Sequence, residues 1–236
     1  MISRDDTRHP PTVPAAQGGY RQHRFTAPPG ALTLLLIRHG ESQRAYPDQP
    51  FPMADGRADP ELAPDGVRQA GLAGARLAAG PPIDAIYVTS LRRTVQTAAP
   101  LARRLGLQPR VERDLREVGL GEWEGGLYRK MVAENHPVAQ RMRAEERWDV
   151  IPGAEPSAHF SARVRGAVER LAAAHPGQRV AVFTHGGVIG QVLALASESR
   201  PFAFIGADNG SISEIVVAGA MWIVRRFNDT AHLDER

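Results

Sequence analysis

Histidine and arginine recur at three places in the sequence, each directly after a short apolar run. Residues 38–42 (RHGES) follow the run TLLLI, residues 89–94 (TSLRRT) follow AIYV, and residues 184–187 (THGG) follow VAVF. Such runs predict buried strands, and an open α/β sheet binds its ligands beyond the carboxyl ends of its strands. The spacing therefore predicts that two histidines and at least two arginines meet at one edge of a sheet.

Phosphate suits this set of side chains better than a metal ion does. A guanidinium group binds a phosphate dianion through paired hydrogen bonds, whereas an arginine beside each histidine would repel a divalent cation. The helix predicted after each segment adds backbone N–H groups that can bind an anion. Gly40, Gly186 and Gly187 let the backbone approach that anion closely. The sequence therefore predicts a site that handles a phosphoryl group, with no metal ion and no other cofactor.

Residue types that the chain lacks narrow the chemistry further. The chain has no cysteine, a single lysine (Lys130), no Gly-Lys pair of the P-loop type and no Gly-x-Ser-x-Gly elbow. Thiolate nucleophiles and cysteine metal sites are excluded, and a P-loop nucleotide site or an α/β-hydrolase esterase is unsupported. A histidine is then the strongest nucleophile at the predicted edge, because neutral imidazole can accept a phosphoryl group. Neighbouring arginines are expected to lower the pKa of that histidine through like-charge repulsion.

Composition and charge indicate the class of protein and of ligand. The chain has 236 residues, of which 42% are hydrophobic and 23% charged, as in an ordinary globular domain. Its 29 Lys and Arg exceed its 26 Asp and Glu only slightly, and the excess is scattered. This favours a small phosphorylated metabolite over nucleic acid as the partner. No segment predicts a membrane span or a secretory signal, so we expect no membrane contact, a cytoplasmic location and, from the frequency of such assemblies, a homodimer.

Patterns of apolar residues predict the elements that position these side chains. Residues 1–30 are rich in proline, glycine and arginine, which predicts a flexible N-terminal tail before one domain over residues 31–236. The predicted strands are 33–37, 83–88 and 180–183, the predicted helices are 66–79, 91–105, 161–175 and 188–196, and the predicted hairpin is 212–217 with 221–227. Alternating strands and helices predict a three-layer α/β/α sandwich with a mostly parallel central sheet and an antiparallel C-terminal edge.

The three segments and several others resemble the motifs of one known family, in the family's order. Residues 38–42 resemble the signature of the histidine phosphatase superfamily, in its phosphoglycerate-mutase-like branch. Further resemblance lies in residues 59–70 (DPELAPDGVRQA), 89–98 (TSLRRTVQTA), 115–117 (LRE) with 121–125 (GEWEG), 184–187 (THGG), 209–213 (NGSIS) and 228–233 (NDTAHL). The resemblance covers about residues 31–236 and implies the family's fold and its phosphoryl-transfer chemistry.

The resemblance also implies roles for individual residues. His39 matches the nucleophile that becomes phosphohistidine, and Glu117 matches the general acid that later activates water. The residues implied in catalysis are His39, Glu117, His185, Arg38 and Arg93, and those implied in phosphate binding are Arg38, Ser42, Arg93, His185 and Gly186. From the residues alone, Glu122 and Glu124 are equal candidates for the acid.

The chain departs from the family pattern at Ala45, where many members have an asparagine whose amide helps to bind phosphate. A hydrogen bond to a charged partner is worth about 1.5–3 kcal/mol, so a missing donor predicts weaker phosphate binding. The competing expectation is that Gln43 or Arg44 fills the gap. Residues 151–155 (IPGAE) also differ, by one glycine, from the family's Pro-Gly-Gly-Glu segment.

These patterns favour a metal-independent phosphatase that hydrolyses small phosphomonoesters through a phosphohistidine intermediate. Two alternatives remain: a cofactor-dependent phosphoglycerate mutase, and a protein that binds phosphate with little turnover. Mutases of this family have a longer insertion between the Arg93 motif and the second histidine, for which we see no room here. Selection among phosphate esters is expected to lie in residues 46–53 and 127–150.

Overall fold

The computed structural model describes residues 22–234, and its centre is a six-stranded sheet. In chain order the strands are β1 (Leu32–Arg38), β2 (Met53–Ala54), β3 (Arg57–Ala58), β4 (Ala85–Val88), β5 (Arg110–Val111), β6 (Arg179–Thr184), β7 (Ile212–Ala218) and β8 (Met221–Asp229). Strands β2 and β3 pair only with each other, and the other six form the central sheet.

The spatial order in the central sheet is β5-β4-β6-β1-β7-β8. Strand β4 is parallel to β5 and β6, and β6 is parallel to β1, whereas β7 is antiparallel to both β1 and β8. Gly219, at a φ of 60°, lies in the turn between β7 and β8. The predicted parallel sheet with an antiparallel C-terminal edge is confirmed.

Helices cover both faces of this sheet. They are α1 (Pro64–Ala78), α2 (Arg92–Leu105), α3 (Leu127–Ala133), α4 (Pro137–Glu145), α5 (Ser157–Ala174) and α6 (Gly186–Ser197). Helices α1 and α2 cover one face, where Ile37 and Leu101 share a buried cluster, and α5 and α6 cover the other, where Leu36 and Val164 do. Strand β1 is buried on both faces for this reason, and the predicted three-layer sandwich is confirmed.

The predicted elements are present, although their ends differ from the prediction. The largest shift is in α5, which begins at Ser157 instead of 161 because Phe160 in its first turn is already buried. Helices α3 and α4 were not predicted. Helix α3 has no buried residue, so its sequence has no clear apolar stripe. Together with a turn at Trp148–Val150 they surround a small separate core of Trp123, Ala139, Met142 and Ile151.

The predicted N-terminal tail, residues 1–30, falls mostly outside the described residues, which begin at 22. Its flexibility stays a prediction. Among the helices of residues 22–234, none is long and apolar enough to cross a membrane.

Candidate active site

The loop after β1 places His39 at the carboxyl edge of the sheet. Only 7% of His39 is exposed, and its Nδ1 lies 2.8 Å from the Gly40 carbonyl oxygen. Because a carbonyl oxygen can only accept, Nδ1 holds the proton of the neutral ring and Nε2 has the free lone pair. Burial, followed by the charges of Arg93 and Arg38, holds the pKa of His39 well below its ordinary value. A lowered pKa of His39 was predicted from the neighbouring arginines alone, whereas burial is the largest cause of the shift.

Two glycines hold the His39 loop against the start of α1. An added Cβ at Gly40 would overlap the backbone of Gly66, and one at Gly66 would overlap the backbone of Glu41. Side chains secure the same loop, since Thr97 Oγ1 accepts from Gly40 N at 3.0 Å and Gln69 Oε1 accepts from Glu41 N at 2.8 Å. Helices α1 and α2 therefore fix the position of His39.

Two guanidinium groups near His39, those of Arg38 and Arg93, have no carboxylate partner in the described part of the chain. Arg93 is 7% exposed and donates from Nη1 to the Ala58 oxygen at 2.8 Å. Arg38 donates from Nη1 to the Ala207 oxygen, and its buried Nε has no hydrogen-bond partner within residues 22–234. Burial lowers the pKa of Arg93 to about 10 and also lowers that of Arg38, although Glu117 opposes both shifts. Buried charge without a counter-charge is unfavourable, which indicates that an anionic ligand belongs beside these groups.

His185 lies next to His39 and is fully buried, without lining the open part of the site. Its ring centroid is 5.2 Å from that of His39, with the two planes inclined at 64°. Its Nε2 contacts Thr89 Oγ1 at 3.1 Å, whereas Nδ1 is buried without a partner in the described part of the chain. Burial and then Arg93 lower the pKa of His185 well below its ordinary value. An unpartnered buried nitrogen at this point indicates a place for a ligand atom.

Glu117 is held beside the start of α6 by backbone N–H groups. Its Oε1 accepts from Val118 N at 3.0 Å and its Oε2 accepts from Gly187 N at 3.2 Å. An added Cβ at Gly187 would lie 2.5 Å from Glu117 Oε1, so the glycine is needed for this contact. The carboxylate of Glu117 is therefore fixed where α6 meets the cleft.

The other two candidate acids are placed differently. Glu124 lines the cleft, but its oxygens accept from Ala58 N at 2.8 Å and Leu120 N at 3.0 Å. Glu122 is exposed and does not line the cleft. Glu122 is thus less suited than Glu117 to meet a substrate. Glu124 lines the cleft and is held by two backbone N–H groups, as Glu117 is, so the geometry does not separate these two.

Arg129 also lines this site, although it was not among the residues predicted from the sequence. Its Nη2 donates to Ser42 Oγ and its Nη1 to the Gln43 oxygen, both at 2.6 Å, and its guanidinium carbon lies 5.2 Å from the centre of the Phe51 ring. Burial and then the charge of Arg38 lower the pKa of Arg129. It makes no ion pair within residues 22–234, so the site contains a third guanidinium without a counter-charge.

The approach of α3 to the His39 loop depends on Ala45 and Gly126. Gly126 precedes α3 with a φ of 105°, and an added Cβ there would lie 2.9 Å from Ala45 Cβ. The small side chain at 45 therefore leaves space for the helix that presents Arg129. Arg129 is therefore a further candidate, beside Gln43 and Arg44, for a group that replaces the family's amide. The missing donor and its replacement both stay predictions.

These side chains line a cleft of about 250 Å³. Arg38, His39, Arg93, Glu117 and Arg129 are among its lining residues, and so are Phe51, Trp123, Tyr128 and Trp148. A second cavity of similar volume shares Arg38, His39 and Arg129 with the cleft and is also lined by Ser42, Arg44 and Asn209. Gly186, the other predicted phosphate-binding residue, lies so close to Arg38 that an added Cβ would be 3.4 Å from its Nε. Residues 22–234 contain no group of three or more His, Cys, Asp and Glu suited to a metal ion.

Comparison with known proteins places the chain in a family. A model of the histidine phosphatase superfamily (branch 1) matches residues 34–230. The chain belongs to this superfamily. Similar histidine phosphatase relatives include phosphoglycerate mutase-like protein 4 of Arabidopsis thaliana, 31% identical over 208 residues that cover 86% of this chain and 87% of that protein. Phosphoserine phosphatase 1 of Hydrogenobacter thermophilus is 31% identical over 207 residues, which cover 86% and 95% of the two chains.

The solved structures agree with this family. A mycobacterial glucosyl-3-phosphoglycerate phosphatase superposes with a TM-score of 0.69 at 28% identity, covering 85% of this chain and all of the other. The predicted membership of the histidine phosphatase superfamily is confirmed. The matched range contains every predicted site residue, from Arg38 to Gly186. The roles of these residues in this histidine phosphatase stay predictions.

Proposed function

We propose that this histidine phosphatase hydrolyses small phosphomonoesters through a phosphohistidine formed on His39, without a metal ion. One observation carries the proposal: His39, whose Nε2 has the free lone pair, lines the same cleft as the guanidinium groups of Arg38 and Arg93, which have no carboxylate partner in residues 22–234. A nucleophile and the positive charge that a phosphoryl group requires are thus together. The relatives named as phosphatases support hydrolysis as the reaction.

In the first step, His39 Nε2 attacks phosphorus while the bond from phosphorus to the ester oxygen breaks. Glu117 gives its proton to that departing oxygen, and the alcohol leaves. The low pKa of His39 keeps Nε2 unprotonated for the attack. The Nδ1 proton stays on the ring and is donated to the Gly40 carbonyl oxygen, and this hydrogen bond stabilises the positive charge that the ring gains.

In the second step, water attacks the phosphohistidine. Glu117, now ionised, takes a proton from the water, the bond between nitrogen and phosphorus breaks, and orthophosphate and neutral His39 result. Arg38, Arg93 and Arg129 stabilise the charge on the oxygens of the transferring group in both steps. His185 Nδ1, which has no hydrogen-bond partner within residues 22–234, provides a further contact for one of these oxygens.

The test is to trap the intermediate in the presence of a metal chelator. We expect labelled substrate to leave an acid-labile, alkali-stable label on the enzyme, and His39→Ala to abolish both the label and turnover. His159→Ala is the matched control, because His159 is exposed on α5 and lies outside the cleft. Activity abolished by the chelator, or label that persists in His39→Ala, would contradict the proposal.

The alternative of a phosphoglycerate mutase is separated in the same assay. A cofactor-dependent mutase needs 2,3-bisphosphoglycerate and transfers the phosphoryl group between hydroxyls, whereas the proposed enzyme releases orthophosphate without it. A protein that binds phosphate with little turnover would bind vanadate but would release no orthophosphate from the ester. The cytoplasmic location, the homodimer and the lack of nucleic-acid and membrane partners stay predictions.

A further inference from the structure

The cleft has an apolar half that the proposed chemistry does not use. Phe51, Trp123, Tyr128 and Trp148, here called the aromatic wall, line it together with Pro60 and Leu120. The rings of Trp123 and Tyr128 have centroids 6.3 Å apart, and those of Tyr128 and Trp148 are 6.1 Å apart. Tyr128 therefore lies between two tryptophan rings of the wall, whose planes are inclined to its own by 48° and 52°.

The aromatic wall is held in place by residues behind it. Trp123 is buried in the small core that also contains Met142 and Ile151. Trp148 packs against Phe202, with ring centroids 5.0 Å apart. Rings fixed in this way are preorganised for a ligand, because little side-chain entropy is lost when the ligand binds.

The guanidinium of Arg129 lies 5.2 Å from the centre of the Phe51 ring, and the proposed function assigns it to the phosphoryl group. The other charged groups beside the wall, Glu124 and Arg57, have partners within the protein. Both oxygens of Glu124 accept from backbone N–H groups. Arg57 donates from Nη2 to Glu155 Oε2 at 3.4 Å and from Nε to the backbone carbonyl oxygen of Glu117 at 3.3 Å. A sugar hydroxyl or a carboxylate on the alcohol part of a substrate would thus lose water here without gaining a free charged partner, which is unfavourable.

The position of Glu117 determines which part of a bound substrate contacts the aromatic wall. As the proposed acid it must contact the ester oxygen, and it lines the same cleft as the rings. The group attached to that oxygen then extends along the wall, while the phosphoryl group lies at Arg38, His39 and Arg93. An apolar cavity of about 150 Å³ holds a benzene molecule, so the cleft of about 250 Å³ can take one ring and the phosphoryl group.

We propose that the preferred substrates are phosphomonoesters whose alcohol carries a planar apolar ring, which stacks against the aromatic wall. This inference rests on the proposed function, since Glu117 and His39 orient the ester. It sets the chain apart from an enzyme that selects a polar sugar or an amino-acid ester. The substrate ring replaces water on the wall and gains contact with Tyr128 and Trp148.

The first test compares esters of primary alcohols, so that the acidity of the leaving group varies little. We expect kcat/KM for 2-phenylethyl phosphate to exceed that for ethyl phosphate by about ten- to hundredfold, the effect of burying one large apolar group. Glycerol 3-phosphate and O-phosphoserine are expected to fall at or below ethyl phosphate.

The second test removes part of the wall. Trp148→Ala is expected to lower the ratio of kcat/KM between 2-phenylethyl and ethyl phosphate at least about fivefold, whereas Tyr128→Phe keeps the ring and preserves the ratio. Trp222→Ala is the matched control. Trp222 is half-buried on β8 and pairs with Val217, at the end of the sheet opposite His39. A loss of stability alone would alter both substrates alike and leave the ratio unchanged.

The outcomes separate the two proposals. If none of the esters is hydrolysed, the proposed function fails and the inference fails with it. If all are hydrolysed but glycerol 3-phosphate or O-phosphoserine equals or exceeds 2-phenylethyl phosphate, the inference is overturned and the function stands. A ratio that does not respond to Trp148→Ala would also overturn it.

Discussion

The cleft joins two halves that the chain builds in different ways. The floor, formed by Arg38, His39, Arg93 and His185, comes from the ends of central strands and the starts of the helices that follow. The covering side, residues 43–58 and 119–153, consists of short strands, turns and helices around its own small core. The chemistry is therefore tied to the main fold, whereas the surface that meets the alcohol part of a substrate can vary with little effect on the floor.

The two halves also differ in how their charges are balanced. At the edge of the covering side, Arg57 pairs with Glu155 at 3.4 Å, and Glu155 also pairs with Arg163 of α5 at 2.6 Å. Burial is the largest single influence on the pKa of Glu155 and raises it, but the hydrogen bonds from Arg163 and Gly119 together lower it. On the floor, Arg38 and Arg93 have no such partner within residues 22–234. Arg129 of the covering side likewise makes no ion pair within residues 22–234, so the charge of a ligand is required where the two halves meet at the cleft.

The largest expected effect lies at Glu117, where the two halves meet. Glu117→Gln should slow phosphorylation by alkyl phosphates about a hundredfold or more, the range of general acid catalysis. A nitrophenyl ester should be affected far less, because nitrophenolate leaves without a proton. Burst kinetics of phosphorylation measure both, and Glu122→Gln serves as the exposed control. Equal defects with the two esters would assign the acid to another residue, with Glu124 next.

Arg93 and Arg129 compare one guanidinium from each half. Arg93→Lys should raise the activation free energy that corresponds to kcat/KM by about 2–4 kcal/mol, the effect of losing one donor to a transition state. The reason is that an ammonium group cannot make paired hydrogen bonds. Arg129→Lys should raise this activation free energy less, since the side chain of Arg129 is more exposed than that of Arg93. Steady-state kinetics with one alkyl phosphate check the order. Arg104→Lys, on the exposed face of α2, controls for the substitution itself. If Arg93→Lys stays within threefold of the wild type, Arg93 does not bind the phosphoryl group.

The floor could be predicted from the sequence because each of its segments is continuous and follows a buried strand. His39 and His185 are 146 positions apart, yet the parallel pairing of β1 with β6 brings Arg38 opposite Thr184. Because parallel strands end at the same edge of a sheet, two predicted strands that are each followed by a histidine are enough to predict this proximity. The three-layer fold followed from the same periodicity.

The covering side could not be predicted in the same way. Helix α3 has no buried residue, so the sequence has no apolar periodicity from which the helix could be predicted. Arg129 reaches Ser42 only because Gly126 packs against Ala45 and Phe51, a contact between distant segments. The cause of the low pKa of His39 was also incomplete, since burial depends on the whole fold and not on neighbouring charges in the sequence.

The floor should also make the stability of the protein depend on pH. His39 and His185 have lowered pKa values in the folded chain, so below about pH 6.5 the unfolded chain binds more protons than the folded one. The free energy of unfolding should then fall as pH drops through this window, by up to about 1.4 kcal/mol per pH unit for each histidine, and level off below the folded pKa. Denaturant unfolding between pH 7.5 and 5 measures the slope. A double variant, His39→Gln with His185→Gln, should flatten it, and an unchanged slope would contradict the assignment.

The smallest effect is expected at Ala45, where the covering side touches the floor. If the family's amide were simply missing, Ala45→Asn would restore a donor and tighten vanadate. The structure instead places Ala45 Cβ against Gly126, so the larger side chain should push α3 and Arg129 away from Ser42. We expect the inhibition constant for vanadate to rise severalfold, and Ala45→Ser, which is smaller, to change it less.

A double-mutant cycle separates crowding from a lost donor at this contact. In an Arg129→Met background no guanidinium remains to be displaced, so Ala45→Asn should do no further harm to vanadate binding and can offer its own amide. The two substitutions are then non-additive, as expected for residues that share one contact. Additive effects would mean that Ala45 and Arg129 act independently. Tighter vanadate binding by Ala45→Asn alone would show that the covering side leaves a donor site unfilled, and that Arg129 does not replace the amide.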